Sequence, residues 1–238
     1  MLGPNKLTEK FKLKNLPTGC ICLDRLLHGG LPSSQLTVFY GEAATGKTTL
    51  ALQCSISCVR FGFNVIYLGG DHTFPIERLK QITPDFDVVA QSIGIFTPKN
   101  FFEQTLLLEK LELYLTRKTG LIVFDTINNL YRLTLKDSDP EFNFLLNKEL
   151  NRQLAYLSYL AKTFNIPVLI TSQVHAVLQG NQKVEPVATR ALNFWSPNII
   201  HLTLTPKPSL RKAILEKLNG RNFSNVFCHF KLSDRGAE

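Results

Sequence analysis

One octapeptide constrains this chain more than anything else in it. Gly41-Glu42-Ala43-Ala44-Thr45-Gly46-Lys47-Thr48 satisfies the pattern G-x-x-x-x-G-K-[ST] at every fixed position. The flanks make the match informative. Leu36-Thr37-Val38-Phe39-Tyr40 is an apolar, β-branched and aromatic run that reads as a buried strand, and Thr49-Leu50-Ala51-Leu52-Gln53-Cys54 opens a helix. Strand, glycine loop and helix together make an anion cradle. Gly41 and Gly46 let the backbone turn tightly, so successive N–H groups point inward. The helix start adds partial positive charge. Lys47 brings an ammonium to the β- and γ-phosphates, and the Thr48 hydroxyl is a ligand for Mg²⁺. The expected triphosphate contacts run through Gly41, Glu42, Ala43, Ala44, Thr45, Gly46, Lys47, Thr48 and Thr49.

A loop of this kind sits at the carboxyl end of its strand, so other strand ends should converge on it. Asn64-Val65-Ile66-Tyr67-Leu68 reads as a second buried strand, followed by Gly69-Gly70-Asp71-His72, which places Asp71 and His72 near the phosphates. Gly120-Leu121-Ile122-Val123-Phe124-Asp125 reads as a third, and Asp125 is the expected metal-side carboxylate. Val168-Leu169-Ile170-Thr171 reads as a fourth, ending at Ser172-Gln173. Gln173 is placed to sense the γ-phosphate or orient a water.

The chain has 238 residues, 44% of them hydrophobic, enough for one α/β domain with a full core. No run of eighteen apolar residues suggests a membrane span, and the basic start lacks the apolar block of a secretory signal. Five scattered cysteines fit a reducing cytoplasm with buried thiols rather than a disulfide framework. The formal charge of +8 suggests a polyanionic partner, nucleic acid first.

In order, residues 1–16 form a basic arm or edge strand, and residues 17–238 the core domain. Leu23, Leu26 and Leu27 have short-helix spacing, closed by Gly29-Gly30. Helices are expected over 74–82, 101–117 and 141–164, and a functional loop over 175–190. Segments 198–204, 211–217 and 226–232 leave no room for crossover helices and should be antiparallel strands. The fold class is therefore a mostly parallel sheet with helices on both faces and antiparallel C-terminal strands.

Assembled, these blocks resemble the RecA/RadA ATPase-core superfamily, and within it the archaeal RadB group of short recombinase paralogues. The resemblance runs from Thr18 to the end. Beside the glycine loop it rests on Leu121 to Asp125 with Leu130-Tyr131-Arg132, Gln173-Val174-His175, Phe194-Trp195 and Ser233-Asp234-Arg235-Gly236. It implies a RecA-like core with no N-terminal helical DNA-binding domain before it, ATP and Mg²⁺ as cofactors, DNA binding, feeble DNA-independent ATP hydrolysis, and a role assisting recombination and repair without strand exchange. Implied partners are single-stranded or branched DNA, bound largely without regard to sequence, a RadA-type recombinase or structure-specific nuclease, and a weak homo-oligomer in the cytoplasm. Candidate DNA contacts are Tyr131, Arg132, Lys136, His175, Lys183 and Arg190; the alternative is that Tyr131 is core and Arg132 a surface ion-pair residue. Lys217 and Arg221 are candidates to reach a neighbouring subunit's ATP, with a solvated hairpin as the alternative.

The chain departs from the family at two places. The second core strand of relatives commonly ends in Asp-Thr-Glu, whose Glu activates the attacking water; here Gly69-Gly70-Asp71 stands there. The shorter Asp71 carboxylate falls short of that water, which predicts slow or absent turnover by the catalytic set Lys47, Asp71 and Gln173. Ala188-Thr189 replaces glycines before the Trp-containing block. Two other function classes remain open: a KaiC-like signalling ATPase, and a non-catalytic adaptor whose shape ATP fixes.

Overall fold

A computed structural model describes residues 14–71, 73–175, 185–186 and 189–238. The first half of the chain comprises β1 (Asn15–Leu16), α1 (Ile21–Leu26), β2 (Leu31–Pro32), β3 (Leu36–Gly41), α2 (Lys47–Arg60), β4 (Asn64–Gly69), α3 (Ile76–Ile82), α4 (Phe86–Gln91), β5 (Ile93–Phe96) and α5 (Phe101–Glu109). A 3-10 turn, Leu111–Tyr114, precedes β6 (Thr119–Asp125), α6 (Asn129–Thr134), α7 (Pro140–Phe164) and β7 (Val168–His175). The remainder holds β8 (Glu185–Pro186), α8 (Thr189–Trp195), β9 (Asn198–Leu204), β10 (Leu210–Leu218), β11 (Arg221–Ser233) and β12 (Gly236–Ala237).

The main sheet runs β12-β11-β10-β9-β3-β7-β6-β4-β5, with β8 beside β7. From β9 through β5 neighbours pair parallel. From β9 to β12 they pair antiparallel. This is the RecA-like α/β arrangement expected from the sequence. Strands β3 and β6 are buried along their whole length, which is why they read as unbroken apolar runs rather than as alternating ones. The β10–β11 hairpin turns through Asn219 and Gly220, both at positive φ, and so β11 begins at Arg221, earlier than its apolar stretch suggests.

Helix α7 shows how the local signals combine. Asp139 caps it, accepting from Phe142 N at 2.9 Å, and Pro140 sits in the first turn. Leu146, Leu150, Leu154, Leu157 and Leu160 recur at four and three and are all buried. Asn165 ends the helix in the left-handed conformation.

Two expectations change, and two short elements come without a sequence signal. The helix expected over 101–117 stops at Glu109 and tightens into the 3-10 turn, whose Leu113 N bonds Lys110 O at 3.0 Å. Leu111 and Leu115 thereby reach the core, while Leu106 stays partly exposed. The short α4 and β5 carry no periodic signal in the sequence. Finally, Cys22 and Cys228 are joined as a disulfide, with Cα atoms 6.0 Å apart. The expectation of buried thiols holds for Cys20, Cys54 and Cys58. The bonded pair is separated by 206 residues and meets only because α1 packs on β11. Of the basic arm, residues 1–13 lie outside the described residues, and Asn15–Leu16 pairs with β2 as a short strand. Among the described residues no helix is long and apolar enough to cross a membrane.

Candidate functional site

Strand register brings the candidate groups to one edge of the sheet. Gly41 lies opposite Gln173 on β7, and Gly69 lies opposite Asp125 on β6. The glycine loop rises between them and re-enters as α2. Gly46, at φ 97°, is the residue before the first turn of α2, and no side chain caps that turn. The first N–H groups of α2 have no carbonyl partner within the helix, and a helix start of this kind supplies donors for an anion. Gly41 is required by close approach: a Cβ there would meet Leu202 O at 2.1 Å.

Lys47 is buried, and its Nζ donates to Gly41 O at 2.9 Å and Glu42 O at 2.6 Å. Burial lowers its pKa, opposed by the negative charges of Asp125, Asp71 and Glu42. The ammonium is thus held inside the loop on neutral carbonyls, with three carboxylates close enough to be felt. Thr45 Oγ1 donates to Glu42 O at 2.9 Å and braces the loop from within. Thr49 Oγ1 accepts from Arg78 Nε at 3.2 Å, and the same guanidinium bonds Ser233 O and Asp234 O. The C-terminal turn is in this way tied to the start of α2.

Asp125 is buried at the end of β6. Tyr67 Oη donates to its Oδ2 at 2.7 Å, and Thr171 Oγ1 donates to its Oδ1. Gln173 is clamped on three sides. Asn128 Nδ2 donates to its carbonyl at 3.2 Å, its N–H donates to Asn128 Oδ1 at 3.3 Å, and Arg132 Nη1 donates to its Oε1 at 3.2 Å. Asp71 follows β4 on a turn, exposed. The donor set of one threonine hydroxyl, Thr48, and one carboxylate, Asp125, fits Mg²⁺, which keeps several waters and takes further oxygens from phosphates.

Gly70 is fixed by the same packing. Its N–H donates to Asp125 O at 2.9 Å, and a Cβ would meet Thr126 O at 2.1 Å. Gly70→Ala is expected to destabilise the fold by about 2 kcal/mol, as overpacking against immobile backbone does. Gly94→Ala, whose Cβ finds nothing nearer than 3.8 Å, should change little by comparison. Urea midpoints of the two variants check this; equal midpoints would contradict it.

The remaining sequence candidates are dispersed. Tyr131 is 4% exposed, packs edge-on against Phe101 and donates from Oη to Asn147 Oδ1 at 2.8 Å. Its ring is core and offers no face to a base, which corrects the stacking role. Arg132 is half-buried against Gln173 rather than ion-paired at the surface. Lys136 is exposed, its ammonium 4.5 Å from the Phe142 ring centroid. Arg190 is exposed on α8. His175 ends β7; Lys183 and His72 lie outside the described residues. Lys217 stands opposite Ile199 near the start of β9, at the sheet edge away from the loop, and its Nζ donates to Asn193 O at 2.8 Å. Arg221, across the hairpin turn, is exposed at the same end.

Sequence reasoning missed Arg211. It is buried on β10, and its Nε donates to Ala44 O at 2.9 Å while Nη1 holds Pro208 O and Leu210 O. Ala44 is a non-glycine residue at φ 61°, and this guanidinium holds its carbonyl. Nothing local in an alternating strand marks such a residue.

Comparison with known proteins agrees with this architecture. The family model described as Rad51 matches residues 9–217. A DNA repair and recombination protein RadB of Methanococcus maripaludis (strain C5) is 38% identical over 196 residues, covering 82% of this chain and 87% of its own length. The RadB of Thermococcus kodakarensis is 35% identical over 229 residues, covering 94% and 98%. A crystal structure of the RadB recombinase superposes with a TM-score of 0.78 at 34% identity, covering 93% of this chain and 98% of that one.

Proposed function

We propose a function from a fixed premise: the chain belongs to the Rad51 family and, within it, to the archaeal RadB group. It is an ATP- and DNA-binding recombinase paralogue that assists homologous recombination and DNA repair, turns ATP over very slowly and performs no strand exchange of its own. Residues 17–238 are its ATP-binding core. The observation that carries this reading is the buried Lys47 ammonium inside an uncapped helix start, with Asp125 and Gln173 delivered beside it by strand register.

In this reading the loop amides from Gly41 to Thr49 and Lys47 hold the triphosphate. Thr48 and Asp125 hold Mg²⁺, which supplies charge neutralisation between the phosphate oxygens. Gln173 orients the water or reads the γ-phosphate. Its amide oxygen is bonded to Arg132, so the nucleotide end of β7 is mechanically joined to the segment that leads to Lys136. DNA is held through its backbone by Arg132, Lys136, His175, Lys183 and Arg190, with the net charge of +8 behind them. Lys217 and Arg221 are the candidates to act on the ATP of a neighbouring copy. Recombinase or nuclease partners follow from the same family reading.

Binding of a single-stranded oligonucleotide over a salt series, with and without Mg·ATP, tests the DNA half. The expected log–log slope corresponds to several phosphate contacts, about −0.7 per contact for single strands. Asp71 in place of glutamate favours one second reading, an adaptor that uses ATP only to fix its shape. A salt slope near zero would select that reading.

A further inference from the structure

We propose that Tyr67 is a positioning residue for the divalent cation of the nucleotide site, acting through Asp125. The proposal rests on the reading of the glycine loop as an ATP site.

Tyr67 lies on β4 and is fully buried. A phenylalanine would fill the same core space without burying a hydroxyl, and a buried hydroxyl costs free energy unless it is bonded. Here it is bonded to one oxygen of the carboxylate, Asp125 Oδ2, at 2.7 Å. The other oxygen accepts from Thr171. The two hydroxyls come from β4 and β7, the strands on either side of β6. A carboxylate offers about four lone-pair sites; two are occupied from the protein side, and the remainder are oriented by those bonds.

The orientation matters because of Lys47. Asp125 lies within electrostatic reach of that ammonium, and a carboxylate free to turn would be drawn onto it. That contact would withdraw a cation from the phosphates and a ligand from the metal together. Held by Tyr67 and Thr171, Asp125 leaves Lys47 Nζ on the carbonyls of Gly41 and Glu42. Phe74 meets the Tyr67 ring edge-on at 4.9 Å, so the same ring also braces the segment that follows Asp71. Partners one shell out from a metal ligand commonly set metal affinity in this way.

The test is Tyr67→Phe in the full chain, with binding of a fluorescent ATP analogue followed in a Mg²⁺ titration and again in EDTA. The expected result is a half-saturating Mg²⁺ concentration raised about tenfold, with metal-free affinity unchanged. Thr171→Val should move the Mg²⁺ curve in the same direction, and it carries the test if Tyr67→Phe does not fold. A Mg²⁺ curve that superimposes on wild type, or equal weakening in both arms, would overturn the proposal. Wild-type protein that binds the analogue in neither arm overturns the ATP reading and this proposal with it. Wild-type binding beside an unmoved variant overturns this proposal alone.

Discussion

Lys47→Ala should weaken nucleotide binding about a hundredfold while leaving the fold intact. The ammonium is bonded to two of the loop's own carbonyls, those of Gly41 and Glu42. Charge-assisted contacts to phosphate in a buried setting are among the strong ones. Truncating one partner of a buried charge pair costs about 3 kcal/mol or more, which is roughly a hundredfold in Kd. The fold should survive, because burial already works against this charge and alanine carries no such desolvation cost. Calorimetric titration of Mg·ATP into both proteins, with circular dichroism as the check on folding, decides it. Wild-type-like affinity in a folded Lys47→Ala protein would show that the loop is not where nucleotide is held.

Asp71→Glu should raise kcat for ATP hydrolysis by about 100-fold, with little change in the affinity for ATP. A misplacement of about 1 Å between a base and its water costs on the order of that factor, and the substitution adds one methylene, giving the side chain the length of the glutamate. The backbone around it is tight: Gly70 sits against the Thr126 carbonyl, so the carboxylate advances only if its own side chain lengthens. Asp71 is exposed on a turn. The opposite result, brisk turnover by the wild type that Asp71→Glu fails to improve, would mean that Asp71 already reaches the water or that another group serves as base.

How far the sequence could be read depended on how local each signal was. The glycine loop, its strand and its helix lie within residues 36–60, and every cue sits beside the residue it explains: Gly46 before the helix, Lys47 in its first turn, the buried run of β3 ahead of both. Asp125 and Gln173 were legible for the same reason, each closing a buried apolar run. What holds those groups in place was not legible. Arg211 reaches Ala44 across 167 positions, and Tyr67 reaches Asp125 across 58; neither residue differs locally from an ordinary strand position. Cys22 and Cys228 belong to the same class, since only the packing of α1 on β11 makes them neighbours. Tyr131 failed differently. An aromatic beside a base invites a nucleic-acid reading, yet burial is decided by the face of α6 that meets Phe101, and the sequence of six residues is too short for periodicity to reveal it.

The measurement that bears most directly on all of this is the wild-type arm of the Lys47 comparison: calorimetric titration of Mg·ATP into the purified chain. A saturable isotherm with one site per chain, in the micromolar range and weakened when Mg²⁺ is chelated, is the expected result. No heat of binding and no shift in melting temperature at millimolar Mg·ATP would contradict the nucleotide site and the function built on it.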